Sequence, residues 1–174
     1  MDNKERYQAS KMHMSFFDKS RKAIDEGYYL EAIMYEYAAI ESRLEVLCGL
    51  LGCPCNKEVD SYIRRGIKIG NRIDCLKSLY QRHPACVDSN TKISNLFWKK
   101  LKTWSKARNT YVHGLYKNPL VYATRLEERE LLAKEGLDIA RLLYNEVKRI
   151  RRIAANHPQK LDYTEQRCKN KQCF

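Results

Sequence analysis

Ile33, Tyr37, Ile40, Leu44, Leu47 and Leu51 recur at alternating spacings of four and three. At 3.6 residues per turn they form one continuous stripe, a period that a strand cannot place on a single face. A stripe of about five turns must be buried against other helices, so it commits the chain to helix-on-helix packing. Four further stretches carry helical periodicity, and the spacing predicts helices over about 5–26, 29–51, 61–82, 90–116 and 125–155. Gly27-Tyr28 breaks the first, Gly52 and Pro54 stop the second, His83-Pro84 the third and Asn118-Pro119 the fourth. No strand alternation or internal repeat occurs. The expected fold is an all-α bundle of four long helices plus one in a single domain, 1–156, with a polar basic tail over 157–174.

Targeting and redox state follow from smaller features. The longest uncharged run, Val46 to Asn56, is eleven residues, against about 20 for a membrane-spanning helix. The start, Met1 to Arg6, is charged and leads into no apolar stretch, so no secretory signal is expected. These features predict a soluble cytoplasmic protein with no membrane partner. Seven Cys are too sparse for a small disulfide scaffold, and reduced thiols, buried at positions such as Cys48 and Cys75, are expected. Cys53-Pro54-Cys55 and Cys168 with Cys173 are the sharper alternative, a structural zinc, but neither pair has zinc-finger spacing and no metal is expected. No Gly-rich phosphate loop, His-Glu-x-x-His or Gly-x-Ser-x-Gly occurs, so no cofactor is expected either.

The net charge of +12 is unevenly spread. Residues 1–60 sum to −3, 61–108 to +10 and 109–174 to +5. A solubilising surface is the plainer reading of basic charge. Its concentration in the middle segment points instead to a polyanion such as RNA, with Arg64, Arg65, Lys68, Arg72, Lys99, Lys100, Lys102 and Lys106 as contacts. Exposed tyrosines among Tyr7, Tyr28, Tyr29 and Tyr122 offer faces on which bases can stack.

The fourth helix ends in the most informative stretch, Lys106-Ala107-Arg108-Asn109-Thr110-Tyr111-Val112-His113-Gly114. Turning about 100° per residue from Ile93, the residues Leu96, Phe97, Leu101, Trp104, Tyr111, Val112 and Leu115 share one apolar arc. Arg108 falls at about 60°, inside that arc, whereas Asn109 and His113, at about 160° and 200°, share the polar side. An unpaired guanidinium costs several kcal/mol to bury. It must therefore pair with an acid, snorkel, or line a cleft or subunit interface. Glu36 and Glu41, flanking the stripe of the second helix, are the candidate acids. His13, His83 and His157 suit surface or helix-end roles.

Arg108-Asn109-x-x-Val112-His113-Gly114, near the end of a long helix, resembles the signature of the HEPN superfamily. That signature is an Arg, usually followed by a polar residue, then a His after four to six intervening residues. The order of helices from about 5 to 155 is similar too, including Glu31-Ala32-Ile33 and Ala39-Ile40-Glu41. The resemblance implies a metal-independent endoribonuclease acting as a homodimer, in a toxin–antitoxin or antiviral defence system, with Arg108, Asn109 and His113 catalytic. It also implies the alternative of a catalytically inactive HEPN-like RNA-binding or adaptor module. One toxin branch, paired with a nucleotidyltransferase antitoxin, has Tyr two residues after the His; here that position is Leu115 and Tyr116 follows. A helical interaction protein unrelated to that superfamily is the remaining reading. The side chains suit the chemistry: His can be base or acid near neutral pH, and Arg is a fixed cation with a fork for phosphate oxygens. Asn109 can orient the imidazole or bind phosphate. No carboxylate cluster is visible of the kind that holds two metal ions in nucleases. Two copies of the motif across a dimer supply both base and acid.

Overall fold

The computed structural model describes residues 15–51, 69–82, 93–118 and 125–156. Among them are five helices and no strand: α1 over 15–25, α2 over Tyr29–Leu50, α3 over Ile69–Arg82, α4 over Asn95–Lys117 and α5 over Leu126–Asn156. The all-α class follows directly. The expected tail over 157–174 lies outside the described residues, as do the first parts of the predicted first and third helices.

Local chemistry sets the helix ends. After α1, Gly27 adopts φ of +80°, Tyr28 N–H donates to the Ala23 carbonyl at 2.7 Å and Gly27 N–H to Ile24 at 3.1 Å. This pair of bonds needs a left-handed residue, which glycine supplies without a Cβ clash. The fourth helix starts at Asn95 instead of about 90, with the Ser94 hydroxyl accepting from Phe97 N–H at 3.3 Å as an N-cap. No described helix is long and apolar enough to cross a membrane.

Packing divides the chain into two compact units, Met1–Glu41 with Thr103–Arg141, and Ser42–Lys102 with Leu142–Phe174. The dividing points fall inside α2, α4 and α5. In the first unit Phe17, Ala23, Ile33, Ile40, Trp104, Ala133, Leu137 and Ile139 are buried. Three polar residues, Ser20, Glu36 and Ser105, are buried with them. Ser20 Oγ donates to Glu36 Oε1 at 2.7 Å, while Oε2 is buried without a partner. Burial, with a smaller push from Asp138, raises the Glu36 carboxyl to about 9 against the Ser20 hydrogen bond, so it is neutral at pH 7. The Glu36 carboxyl and the Trp104 ring both crowd Gly136, where an added Cβ would overlap them. That close approach explains a glycine in the middle of α5, where it costs helix propensity.

In the second unit Leu44, Leu47, Ile73, Leu76, Leu101, Leu143 and Ile150 are fully buried, and Tyr80, Phe97 and Trp98 stack edge to face with centroids 5.4 Å apart. Leu96, expected in the apolar arc of the fourth helix, is instead 74% exposed. Trp98 takes the buried position, rotating the arc away from Leu96, because an indole covers more apolar area than a leucine. Tyr80 Oη donates to Glu146 Oε1 at 2.6 Å, and Arg149 grips both oxygens of Glu146 at 2.9 and 2.6 Å. Cys48 is a buried thiol outside any disulfide, as expected, but Cys75 is disulfide-bonded and corrects the expectation of reduced cysteines at that position; it sits only half-buried on α3, where a second sulfur can reach it.

Candidate active site

The site is built on the last four turns of α4. Trp104 and Tyr111 are buried seven residues apart, and the Trp104 indole is pinned by donation from Nε1 to the Leu132 carbonyl at 2.8 Å. Arg108 lies between them on the same face, one turn beyond Trp104. Its position in the helix is therefore dictated by two anchored aromatics, and its side chain, inside the apolar arc of the sequence, is half-buried.

The guanidinium has no carboxylate partner among the described residues. Its Cζ sits 3.9 Å from the centroid of the Tyr37 ring on α2. Nη1 donates to Asn109 Oδ1 at 3.1 Å, Nη2 lies 3.4 Å from Met34 Sδ, and Nε is buried without a partner. The expected ion pair with Glu36 is not made. That carboxyl is neutral, faces Ser20, Trp104 and Gly136, and offers Arg108 no charge. Nor does Arg108 pair with Glu41, which is half-buried on the same helix. A ring face takes the place of an acid; a cation over a partly desolvated ring gains about 0.5–2 kcal/mol. An aromatic face offsets the desolvation of the cation without neutralising it, so the positive charge stays available to an anion.

Asn109 is half-buried, and its carbonyl oxygen is committed to Arg108. That bond ties Asn109 to the guanidinium and leaves its amide nitrogen for either expected role, orienting His113 or binding phosphate. His113, one turn further on, is exposed and has no hydrogen-bond partner among the described residues. Arg108 and His113 are separated by about 7.5 Å along the axis and roughly 140° around it. In a single copy they frame a surface; they do not converge on one atom.

The expected basic contacts divide sharply. Lys99, Lys100 and Lys106 are exposed on α4. Lys102 Nζ is held by both oxygens of Asp74 at 2.8 Å. Arg72 is buried, with Nη2 3.9 Å from Glu45 Oε2. It is a packing residue of the second unit and not a surface cation, a correction whose cause is the inward face of α3 that it shares with Ile69, Ile73 and Leu76. Arg64, Arg65 and Lys68 lie outside the described residues, as do Tyr7, Tyr122, His13, His83 and His157. Among the described residues no cluster of three or more His, Cys, Asp or Glu could hold a metal ion.

Sequence reasoning missed Met34 and Tyr37 as the seat of Arg108. Tyr37 was legible only as a member of the buried stripe. Its one distinguishing signal is being a tyrosine among Ile and Leu, a residue with an apolar body and an electron-rich face. Comparison of the chain with protein-family models, with curated proteins and with solved structures finds no match, so the resemblance to the HEPN superfamily rests on the motif and on the helix order.

Proposed function

We propose that the chain is a metal-independent endoribonuclease of HEPN type, serving a toxin–antitoxin or antiviral defence system and cutting RNA in a cleft between two copies. One observation carries the reading. Arg108 is a half-buried cation with no acid, seated on Tyr37 and fastened to Asn109, at the same helix end as an exposed, unengaged His113. Such a guanidinium is set to receive a phosphate oxygen through its fork. The imidazole takes the proton of a 2′-OH, whose oxygen attacks phosphorus as the 5′-oxygen leaves and is protonated. The products are a 2′,3′-cyclic phosphate and a 5′-hydroxyl. One copy supplies one His at this site, and the reaction uses a base and an acid. A second copy supplies the other.

The surface beside Arg108 suits that copy. Leu30 and Met34, one turn apart on α2, are 38% and 46% exposed, and Met34 touches the Arg108 guanidinium. Tyr28, Leu126 and Leu131 of the same unit are exposed too. Exposed large apolar side chains next to a functional cation favour an interface. With Lys102 and Arg72 engaged by acids, the electrostatic contact with RNA rests, among the described residues, on the exposed Lys99 and Lys106.

The test is cleavage of a mixed RNA pool in excess EDTA with end-group analysis, alongside sedimentation equilibrium. The expected result is undiminished cutting, cyclic-phosphate ends and a species of twice the 20.6 kDa chain mass. Loss of activity on chelation, or 5′-phosphate ends, overturns the mechanism; RNA that is bound but never cut supports the inactive binding module instead.

Tyr37 is a positioning residue in this scheme. Tyr37→Phe keeps the ring face and is expected to keep the rate. Tyr37→Leu removes the face, with an expected loss of about tenfold in kcat for a cation–π contribution near 1.4 kcal/mol. KM for a short oligonucleotide should change less than kcat if the ring orients the guanidinium for the transition state. Equal rates for Phe and Leu at this position would reduce the ring to packing.

A further inference from the structure

The second unit holds another guanidinium without an acid. Arg43, on α2, is only 4% exposed, its Nε is buried without a partner, and it makes no ion pair with any described residue. The neighbouring arginines of that unit are provided for: Arg149 grips Glu146, and Arg72 lies beside Glu45. Arg43 instead meets more positive charge. Its Cζ lies 5.9 Å from the Tyr144 centroid, and Lys148 Nζ lies 4.5 Å from the same centroid. Tyr144, Lys148 and Arg151 follow one another at spacings of four and three, along one face of α5. Burial, with Arg151 adding repulsion, pushes the Arg43 guanidinium down to about 10. Lys148 and Arg151 are exposed, so the cluster has a buried floor and an open rim.

A buried cation with no carboxylate partner, facing further positive charge from Arg151, is expensive in the free protein and is relieved by an anion. We propose that Arg43, Lys148 and Arg151 form a binding site for a phosphoryl group carrying at least two negative charges. A backbone diester offers one charge to three cations, whereas a terminal phosphate or a pyrophosphoryl group offers two or more. The guanidinium fork fits two of its oxygens, and Lys148 adds a point charge on the ring that also supports Arg43. Both a phosphorylated strand end and the polyphosphate of a free nucleotide have this chemistry. The site is independent of Arg108 and His113 and of the nuclease reading.

The test is thermal melting of the full chain in sodium pyrophosphate against sodium chloride of matched ionic strength. The wild type is expected to melt higher in pyrophosphate. Lys148→Ala with Arg151→Ala, two exposed positions, should weaken the apparent affinity at least tenfold while the chain stays folded in chloride. Arg43→Met should melt above wild type in chloride, because it removes an unpaired buried charge, and should give no response to pyrophosphate. Competition with short DNA strands, which carry no 2′-OH to cut, separates the sources. Displacement by a 5′-phosphorylated strand but not by its 5′-hydroxyl twin assigns the site to strand ends, and displacement by neither assigns it to free polyphosphates. Equal displacement by both strands, no difference between pyrophosphate and chloride, or an unaltered response in the double variant overturns the proposal.

Discussion

Replacing His113 by Ala is expected to lower RNA cleavage by about 10²–10⁴-fold, the usual contribution of a positioned acid or base, while leaving the melting temperature unchanged. The two halves of that expectation have separate causes. The imidazole is exposed and bonded to no described residue, so its loss removes no packing and no hydrogen bond. Alanine also has the higher helix propensity, so α4 is not weakened. Arg108→Ala should cost comparable activity but should also lower the melting temperature, since it uncovers the Tyr37 ring and frees the Asn109 carbonyl. Arg108→Lys restores the charge but not the fork that reaches Asn109, and should remain inactive. The pairing of results is the informative part: one variant inactive and stable, the other inactive and destabilised. Full activity in His113→Ala ends the proposed chemistry. A His113→Ala protein that fails to fold would contradict the exposed placement of the side chain.

Much of this arrangement was legible in the sequence, and the boundary follows what periodicity can carry. The stripe from Ile33 to Leu51 is buried at every position but one, because a turn of 3.6 residues determines which residues share a face. The exception, Tyr37, is half-buried because it holds the Arg108 guanidinium, and no spacing rule marks a residue as a seat for a cation on another helix. Helical angle placed Arg108 inside the apolar arc and His113 outside it. It left open whether Asn109 orients the imidazole or binds phosphate, and it could not show that the Asn109 carbonyl accepts from Arg108, a contact that depends on side-chain rotamers. Leu96 shows the same limit, since periodicity puts Leu96 inside the apolar arc and Trp98 beyond its other edge, whereas the fold buries Trp98 and exposes Leu96. The charged partners were least legible. Glu36 was the nearest acid to Arg108 by pattern, yet it turns inward to Ser20 and loses its charge there. Lys102 and Arg72 counted as free cations until Asp74 and Glu45 met them from other helices. Net charge over a segment is a property of composition, and the pairing that cancels it belongs to the tertiary fold.

Glu36 gives the second large effect, in the dependence of stability on pH. Its carboxyl is held at about 9 in the folded chain, against 4.5 ordinarily, chiefly by burial, with Asp138 adding to the shift and Ser20 opposing it. Below pH 4.5 the group is protonated whether the chain is folded or not, and costs nothing through ionisation. Between 4.5 and 9 the unfolded chain releases the proton and the folded chain keeps it, so the unfolded state binds fewer protons and stability falls as pH rises. The slope approaches about 1.4 kcal/mol per pH unit. It ends above pH 9, where the folded carboxyl ionises as well. By pH 7 the accumulated cost is on the order of 3 kcal/mol, a large share of the stability of a small protein. Glu36→Gln keeps the shape and the acceptor for Ser20 Oγ but cannot ionise in either state. Urea unfolding of both proteins at pH 5, 7 and 9 should therefore show nearly equal midpoints at pH 5 and a variant that is increasingly the more stable at pH 7 and pH 9. A constant difference across that range would mean that Glu36 is charged in the folded chain. Trp104 and Gly136, which crowd its carboxyl, would then pack against an anion rather than a neutral acid.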